Sequence, residues 1–108
     1  MEIKAKESYL PGFTVLIPFY NERDFLPRLI ESLLRQTKAP AKLILIDNDS
    51  TDDSVEVAKK TLENSTVPYE ILHELRKGKA NALEQGCTHI ETEFTLCTDA
   101  DTWFPPHS

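Results

Sequence analysis

Glycine, cysteine and long apolar runs are scarce in this 108-residue chain, and each scarcity excludes a class of protein. The three glycines never form the Gly-x-Gly-x-x-Gly turn of dinucleotide-binding folds. The two cysteines, Cys87 and Cys97, lack the spacing of a metal site, and we interpret them as reduced core residues. No apolar run approaches the length that crosses a membrane, and the first residues lack the apolar centre of a signal peptide. We therefore expect a cytoplasmic protein without a membrane segment.

Basic residues are also in the minority. The chain has 12 Lys and Arg against 18 Asp and Glu, which gives a net charge of -6. This balance argues against nucleic acid or an anionic membrane as the main partner. A phosphorylated ligand stays compatible with it, because a bound dication reverses the local sign of charge.

Four apolar segments alternate with helical patterns along the chain. We predict a flexible lead-in over residues 1–12 and one domain over residues 13–108. The near-continuous apolar runs are typical of strands buried on both faces of a parallel sheet. The four predicted strands cover residues 13–17, 43–46, 67–72 and 94–97.

Local signals predict where the helices begin and end. Pro18 is expected to stop the first strand, and Pro27 is tolerated only in a first helical turn, which predicts an N-cap at Asp24. Ser50 predicts the cap of the second helix, in a capping box with the acidic residue three positions on. Gly86 predicts the end of the third helix.

This alternation predicts an α/β fold of the Rossmann-like kind. We expect a mainly parallel, four-stranded sheet in the order 3-2-1-4 with helices on both faces. Ligands in such sheets bind outside the carboxyl ends of the strands, beside the switch point between strands one and four. Polar residues directly follow the strands at that edge: Asn21, Glu22, Asp47, Asn48, Asp49, Asp99 and Asp101.

Asp99 and Asp101 follow the last predicted strand and are separated by one small residue. Residues two apart in an extended segment point to the same face, so these carboxylates project together. At roughly 6–7 Å they repel by about 2–3 kcal/mol at an effective dielectric of 20. A pair of oxygen ligands of this kind suits Mg²⁺ or Mn²⁺. The alternative is a solvated acidic turn.

Structural alternatives exist for the other polar residues too. Asp47 could cap the helix that follows it, and Asn48 and Asp49 belong to residue types that favour turns for local reasons. Asn21 and Glu22 could cap and charge the start of the first helix.

Four segments, in order and at this spacing, resemble the nucleotide-sugar-binding half of family 2 glycosyltransferases with the GT-A fold. The resemblance extends from about Phe13 to Pro106. The segments are residues 15–22 (Val-Leu-Ile-Pro-Phe-Tyr-Asn-Glu), 46–52 (Ile-Asp-Asn-Asp-Ser-Thr-Asp), 78–86 with its Gly-Lys-Ala start, and 98–101 (Thr-Asp-Ala-Asp).

The resemblance implies roles for individual residues. Asp99 and Asp101 match the family's Asp-x-Asp motif, which holds a divalent metal on the sugar diphosphate. A loop after the first strand that lines the nucleoside pocket is matched by Pro18, Tyr20 and Glu22. An acidic pair that approaches the base and ribose is matched by Asp47 and Asn48. The substrate-binding residues expected on these grounds, with their neighbours, are Pro18, Tyr20, Asn21, Glu22, Asp47, Asn48, Asp49, Lys79 and Asp99.

The chain also departs from the family pattern. Asn48 stands where relatives often carry Asp, and Leu83-Glu84 stands where they often carry Arg-Asn, with Lys79 as a substitute cation. The family's catalytic base and acceptor half are expected beyond Ser108, so we expect these 108 residues alone to be inactive in transfer.

The resulting hypothesis is the donor-binding domain of an inverting glycosyltransferase that binds a nucleotide-diphosphate sugar with Mn²⁺ or Mg²⁺. The acceptor stays open. One alternative is a non-catalytic, truncated nucleotide-binding module. Another is a phosphatase of the haloacid-dehalogenase type, in which Asp99 would be a nucleophile and Asp101 an acid/base.

Overall fold

The structure is a computed structural model that describes the backbone of residues 2–4 and 10–98 and the side chains of residues 11–98. Five strands and three helices alternate along this part of the chain. They are β1 (Glu2–Lys4), β2 (Leu10–Phe19), α1 (Leu26–Leu34), β3 (Lys42–Asp47), α2 (Ser54–Leu62), β4 (Tyr69–His73), α3 (Lys79–Cys87) and β5 (Thr92–Cys97).

The strands form one sheet in the order β1-β5-β2-β3-β4. β5, β2, β3 and β4 are mutually parallel, which confirms the predicted order 3-2-1-4. β1 adds an antiparallel edge strand against β5. Residues 2–4 and 10–12, which the sequence analysis assigned to a flexible lead-in, therefore lie in strands. The local sequence does not predict the three-residue strand β1, because its hydrogen-bond partners in β5 are about ninety residues away along the chain.

Two layers of apolar side chains cover the two faces of the sheet. Val15, Ile17 and Leu45 face α1 and α2, whose Leu29 and Leu62 are fully or almost fully buried against them. On the opposite face the side chains of Leu16, Ile44 and Ile46 pack with Ala82 of α3. The central strands β2 and β3 are thus buried on both faces, as their continuous apolar runs predicted.

Pro18 does not stop β2, which continues to Phe19 and pairs Pro18 with Ile46 of β3. Leu16 accepts a hydrogen bond from Thr98 on the β5 side of the strand. Backbone groups two residues apart point to the same side, so the missing N–H of Pro18 faces that side, beyond the last β5 pairing at Leu16. Proline is therefore tolerated here.

Two predicted helix starts shift towards the C-terminus. α1 has Phe25 as its N-cap instead of Asp24, with Pro27 in the first turn as expected. α2 begins at Ser54 and has Asp53 as its N-cap, so the capping box predicted at Ser50 does not form. The Ser50 side chain serves a different loop, as described below.

Gly86 lies inside α3 and does not end it. Its missing side chain allows close contact with β3, which the helical pattern could not show. Cys87 is exposed and only Cys97 packs into the core, so the expectation of two core cysteines is wrong for Cys87. Within the part of the chain that the structure describes, no helix is long and apolar enough to span a membrane.

Candidate functional site

A cleft of about 480 Å³ opens at the carboxyl edge of the sheet, between the loops that follow β2, β3 and β4. The loops are residues 20–25, 48–53 and 74–78. This edge is where parallel α/β sheets bind their ligands. The cleft is lined by Tyr20, Asn48, Asp49, Thr51, Lys77 and Gly78.

Asn21 connects the first loop to the second. Its side-chain oxygen accepts hydrogen bonds from the N–H groups of Thr51 (2.8 Å) and Asp52 (3.2 Å). Its own N–H donates to the Ser50 hydroxyl at 2.9 Å. Asn21 adopts φ = 50°, a left-handed conformation that asparagine tolerates better than most residues. Asn21 therefore serves as a connection between two loops, and it does not line the cleft.

The start of α2 strengthens this connection. The N–H of Glu22 donates to the Ser54 hydroxyl at 2.9 Å, and Arg23 forms an ion pair with Asp53 at 3.2 Å. Burial raises the pKa of Asp52, but hydrogen bonds from Ser54 and from the N–H of Arg23 outweigh this effect and lower its pKa. The first and second loops consequently form one connected unit.

Asp47 is buried at the end of β3 and has partners for both carboxylate oxygens. Oδ1 accepts the N–H of Ser50 at 3.0 Å, and Oδ2 lies 3.1 Å from Nδ1 of His73 on β4. Asp47 is absent from the lining of the cleft. The carboxylate thus orders the turn after β3. This role is close to the structural alternative for Asp47, in which it caps the helix that follows.

Asn48 connects the second loop to the third. Its side-chain nitrogen donates hydrogen bonds to the backbone oxygens of Glu74 (2.9 Å) and Arg76 (2.8 Å). Its side-chain oxygen accepts the N–H of Gly78 at 2.9 Å. Every second residue of the third loop, from Glu74 to Gly78, is thus hydrogen-bonded to the same amide group.

An ion pair within the third loop reinforces its shape. The guanidinium of Arg76 donates to both carboxylate oxygens of Glu74, at 2.8 and 3.1 Å, and also contacts Glu84 of α3 at 3.2 Å. The hydrogen bonds from the Arg76 side chain, together with one from its backbone N–H, lower the pKa of Glu74 to about 2. The backbone N–H of Glu74 donates to the backbone oxygen of Asp47 at 2.8 Å, so the loop is attached both to β3 and to α3.

Three side chains of the cleft have no hydrogen-bond or ion-pair partner among residues 11–98: those of Tyr20, Asp49 and Lys77. An aromatic ring, a carboxylate and an ammonium group are thus available to a ligand. Tyr20 is 53% exposed, and Asp49 has φ = 65° at an exposed turn. These groups can stack on a flat ring, accept from N–H groups and donate to oxygen atoms.

The structure brings together only some of the predicted site residues. Tyr20, Asn48 and Asp49 line the cleft, whereas Lys79 begins α3 outside the lining. Thr51, Lys77 and Gly78 also line the cleft and were not among the predicted site residues. Thr51 and Gly78 lie in two of the family-like segments, and Lys77 directly precedes the second of these. The predicted residues outside the lining are Pro18, Asn21, Glu22, Asp47 and Lys79.

Asp99 and Asp101 lie outside the described residues. The last described residue, Thr98, donates its N–H to the Leu16 oxygen at 3.0 Å, which fixes the point where the chain leaves β5 beside β2. Among the described residues, no group of three or more His, Cys, Asp and Glu side chains could hold a metal ion. A metal bound by Asp99 and Asp101 would need further ligands from a diphosphate or water.

Four parallel strands in this order, with a cleft at their carboxyl edge, are consistent in arrangement with an α/β fold of the GT-A type. The sequence model of glycosyl transferase family 2 matches residues 14–108, and the chain belongs to that family. This result speaks against the phosphatase alternative.

Curated relatives include poly-beta-1,6-N-acetyl-D-glucosamine synthases. The protein from Staphylococcus aureus strain MSSA476 is 36% identical over 93 residues, which cover 86% of this chain and 22% of the relative. That from Staphylococcus epidermidis is 29% identical over 100 residues, which cover 93% of this chain and 24% of the relative. The chain thus spans about a fifth to a quarter of the length of these relatives.

Solved structures share the fold. The mannosyltransferase PcManGT from Pyrobaculum calidifontis, in complex with GDP-Man and Mn²⁺, is 27% identical with a TM-score of 0.79, over 91% of this chain and 30% of that one. TarS 1-349 from S. aureus in complex with UDP is 26% identical with a TM-score of 0.71, over 89% of this chain and 29% of that one.

Proposed function

We propose that this chain is the donor-binding part of an inverting glycosyltransferase that binds a nucleotide-diphosphate sugar with a divalent metal. The nucleoside would occupy the cleft at the ends of β2, β3 and β4. Residues 13–108 would form most of this donor-binding domain, and residues 2–4 and 10–12 belong to its sheet. The observation that carries the proposal is the cleft itself, with the side chains of Tyr20, Asp49 and Lys77, which have no partner among residues 11–98.

The position of the cleft relative to the Asp-x-Asp motif supports this assignment. Neighbouring strands are about 4.8 Å apart, so the ends of β4 and β5 are separated by roughly 14 Å across three spacings. A nucleoside diphosphate can extend along such an edge. Its base would lie near Asp49 and its diphosphate near Asp99 and Asp101, which follow β5.

The donor set of the motif fits a hard dication. Asp99 and Asp101 supply two carboxylates, and Mg²⁺ and Mn²⁺ prefer oxygen ligands. When bound, such an ion would neutralise the diphosphate and stabilise it as a leaving group. The similar structure of PcManGT, which contains GDP-Man and Mn²⁺, supports a metal in this role.

The residues of the chain itself would bind and orient the donor. Tyr20 would stack on a planar part of the nucleoside, and Asp49 would accept hydrogen bonds from its N–H or hydroxyl groups. We propose that the catalytic base and the acceptor site belong to a part of the whole enzyme that these 108 residues do not include. The expectation that this chain alone does not transfer sugar stays a prediction, as does its cytoplasmic location.

Calorimetric titration of the chain with UDP, GDP and the corresponding monophosphates, with and without Mn²⁺, tests the proposal. We expect Mn²⁺ to strengthen binding of diphosphates much more than of monophosphates. Asp101→Ala should remove this difference while leaving the weak, metal-independent binding of the nucleoside unchanged. Asp24→Ala serves as the matched control, because Asp24 is exposed and lies outside the cleft. Equal affinities with and without Mn²⁺ would contradict the metal assignment.

The same titration, extended to UDP-sugars, separates a donor-binding domain from the alternative of a non-catalytic module. A nucleotide-binding module without a donor site would bind UDP and a UDP-sugar equally well or would exclude the sugar. A donor-binding domain should bind at least one nucleotide-diphosphate sugar more tightly than the diphosphate itself. The absence of binding of every nucleotide diphosphate would overturn the proposed function.

A further inference from the structure

We propose that Asn48 is a positioning residue, which holds the loop of residues 74–78 against the cleft, and that Asp49 is the residue of this turn that contacts the nucleoside. The inference rests on the proposed donor-binding function and deepens it. It changes the role expected for Asn48 from its match to an acidic pair.

The hydrogen-bonding capacity of the Asn48 side chain is almost fully used inside the protein. An amide group has two N–H donors and one oxygen with two lone pairs. Both donors bind backbone oxygens, of Glu74 and Arg76, and the oxygen accepts the N–H of Gly78. One lone pair is all that remains for a ligand. The neighbouring carboxylate of Asp49 has no partner among residues 11–98 and lines the same cleft.

The loop that Asn48 holds forms one wall of the cleft. It contributes Lys77 and Gly78 to the lining. Gly78 has φ = 118°, a conformation that side chains rarely adopt, and it is also the N-cap of α3. Its oxygen accepts the first helical bonds, from Asn81 and Ala82. Asn48 therefore fixes both the wall of the cleft and the start of the helix behind it.

A carboxylate could not replace this amide. Asn48→Asp has nearly the same shape and can still accept the N–H of Gly78. It removes both donors, however, and brings a second oxygen within about 3 Å of two backbone oxygens. If Asn48 contacted the base, the same substitution would strengthen binding of uracil, whose ring N3 carries an N–H, relative to cytosine, whose ring N3 is an acceptor. The two roles thus predict opposite results for one variant.

The first test is the affinity for UDP and CDP, each with Mn²⁺, of the wild-type chain, Asn48→Asp and Asn48→Leu between pH 5 and 8. At pH 8 we expect both variants to bind roughly tenfold more weakly or worse, and equally so for both bases. On acidification the ratio of variant to wild-type Kd should fall for Asn48→Asp alone, because a protonated carboxyl donates one hydrogen bond.

The titratable and charged groups around Asn48 are present in all three proteins, so the ratio removes their contribution. They are Asp47, Asp49, His73, Glu74, Arg76 and Lys77. Tighter or more uridine-selective binding by Asn48→Asp would overturn the inference. Wild-type affinity of Asn48→Leu would overturn it too.

The second test needs no ligand and separates this inference from the proposed function. Hydrogen exchange at the Gly78 amide should be slow in the wild-type chain and fast in Asn48→Leu, while the core amide of Leu45 stays protected in both. If no nucleotide diphosphate binds the wild-type chain, the proposed function fails, and the Gly78 amide still decides whether Asn48 positions the loop. Fast exchange at Gly78 in the wild-type chain would refute the positioning role without any substitution.

Discussion

Gly86 of α3 lies so close to Ile46 of β3 that a Cβ atom on Gly86 would come within 2.9 Å of Ile46 Cδ1. The side chain of Ile46 is fully buried between β3 and α3. Ile46 also immediately precedes Asp47, where the loop that forms the cleft begins. The absence of a side chain at Gly86 thus sets the distance between α3 and the strand that carries the site.

Gly86→Ala should destabilise the fold. Overpacking a core costs about 1–3 kcal/mol, which exceeds the gain of about 1 kcal/mol from replacing a helical glycine. Denaturation in urea measures the difference. Ile46→Val removes Cδ1, the atom that a side chain at Gly86 would meet. The double variant should therefore lose less stability than the sum of the losses measured for the two single variants. Additive losses would show that the contact does not limit the packing of α3.

Asn21 should contribute stability in two separable ways, through its hydrogen bonds and through its left-handed backbone. Asn21→Gly removes the bonds to Thr51 and Asp52 but tolerates φ = 50°. Asn21→Ala removes the bonds and adds strain of about 1 kcal/mol. We therefore expect urea midpoints in the order wild type, Asn21→Gly, Asn21→Ala. Identical midpoints for all three chains would mean that the first and second loops do not depend on Asn21.

Lys77→Gln and Asp49→Asn should weaken nucleotide binding without affecting stability, because neither side chain has a partner among the described residues. Loss of one charged hydrogen bond predicts a Kd raised roughly tenfold. Calorimetry and thermal melting measure the two effects. Lys59→Gln is the control for the change in net charge, since Lys59 is exposed on α2, outside the cleft. Equal effects of Lys77→Gln and Lys59→Gln on nucleotide affinity would show that Lys77 acts only through the net charge of the protein and does not contact the ligand.

The ion pair between Glu74 and Arg76 should make the third loop sensitive to acid. Hydrogen bonds from Arg76 lower the pKa of Glu74 from its usual 4.5 to about 2. A carboxylate with a lowered folded pKa stabilises the fold above its unfolded pKa, and this contribution is lost as the pH falls through the folded value. Between pH 4.5 and 2 the wild-type melting temperature should therefore fall more steeply than that of Glu74→Gln. Parallel curves for the two proteins would contradict the pKa assignment.

Much of the fold was predictable because the central strands are buried on both faces. Burial of this kind requires continuous apolar runs, as at Val15 and Ile44, and such runs are visible in local sequence. The motif around Asp47 likewise belongs to one short segment, so the carboxyl edge of the sheet could be recognised before the structure was known.

The sequence by itself determined the parallel sheet, its strand order and the edge at which polar residues gather. Only the tertiary structure decided which of those residues face the cleft. Asn21 and Asn48 bind backbone groups of Thr51 and Gly78, each 30 positions away along the chain, and these contacts connect the loops around the cleft. The same contacts shape the third loop, which brings Lys77 into the lining of the cleft. Hydrogen bonds over such separations depend on how the strands assemble, and no local pattern of residues encodes them.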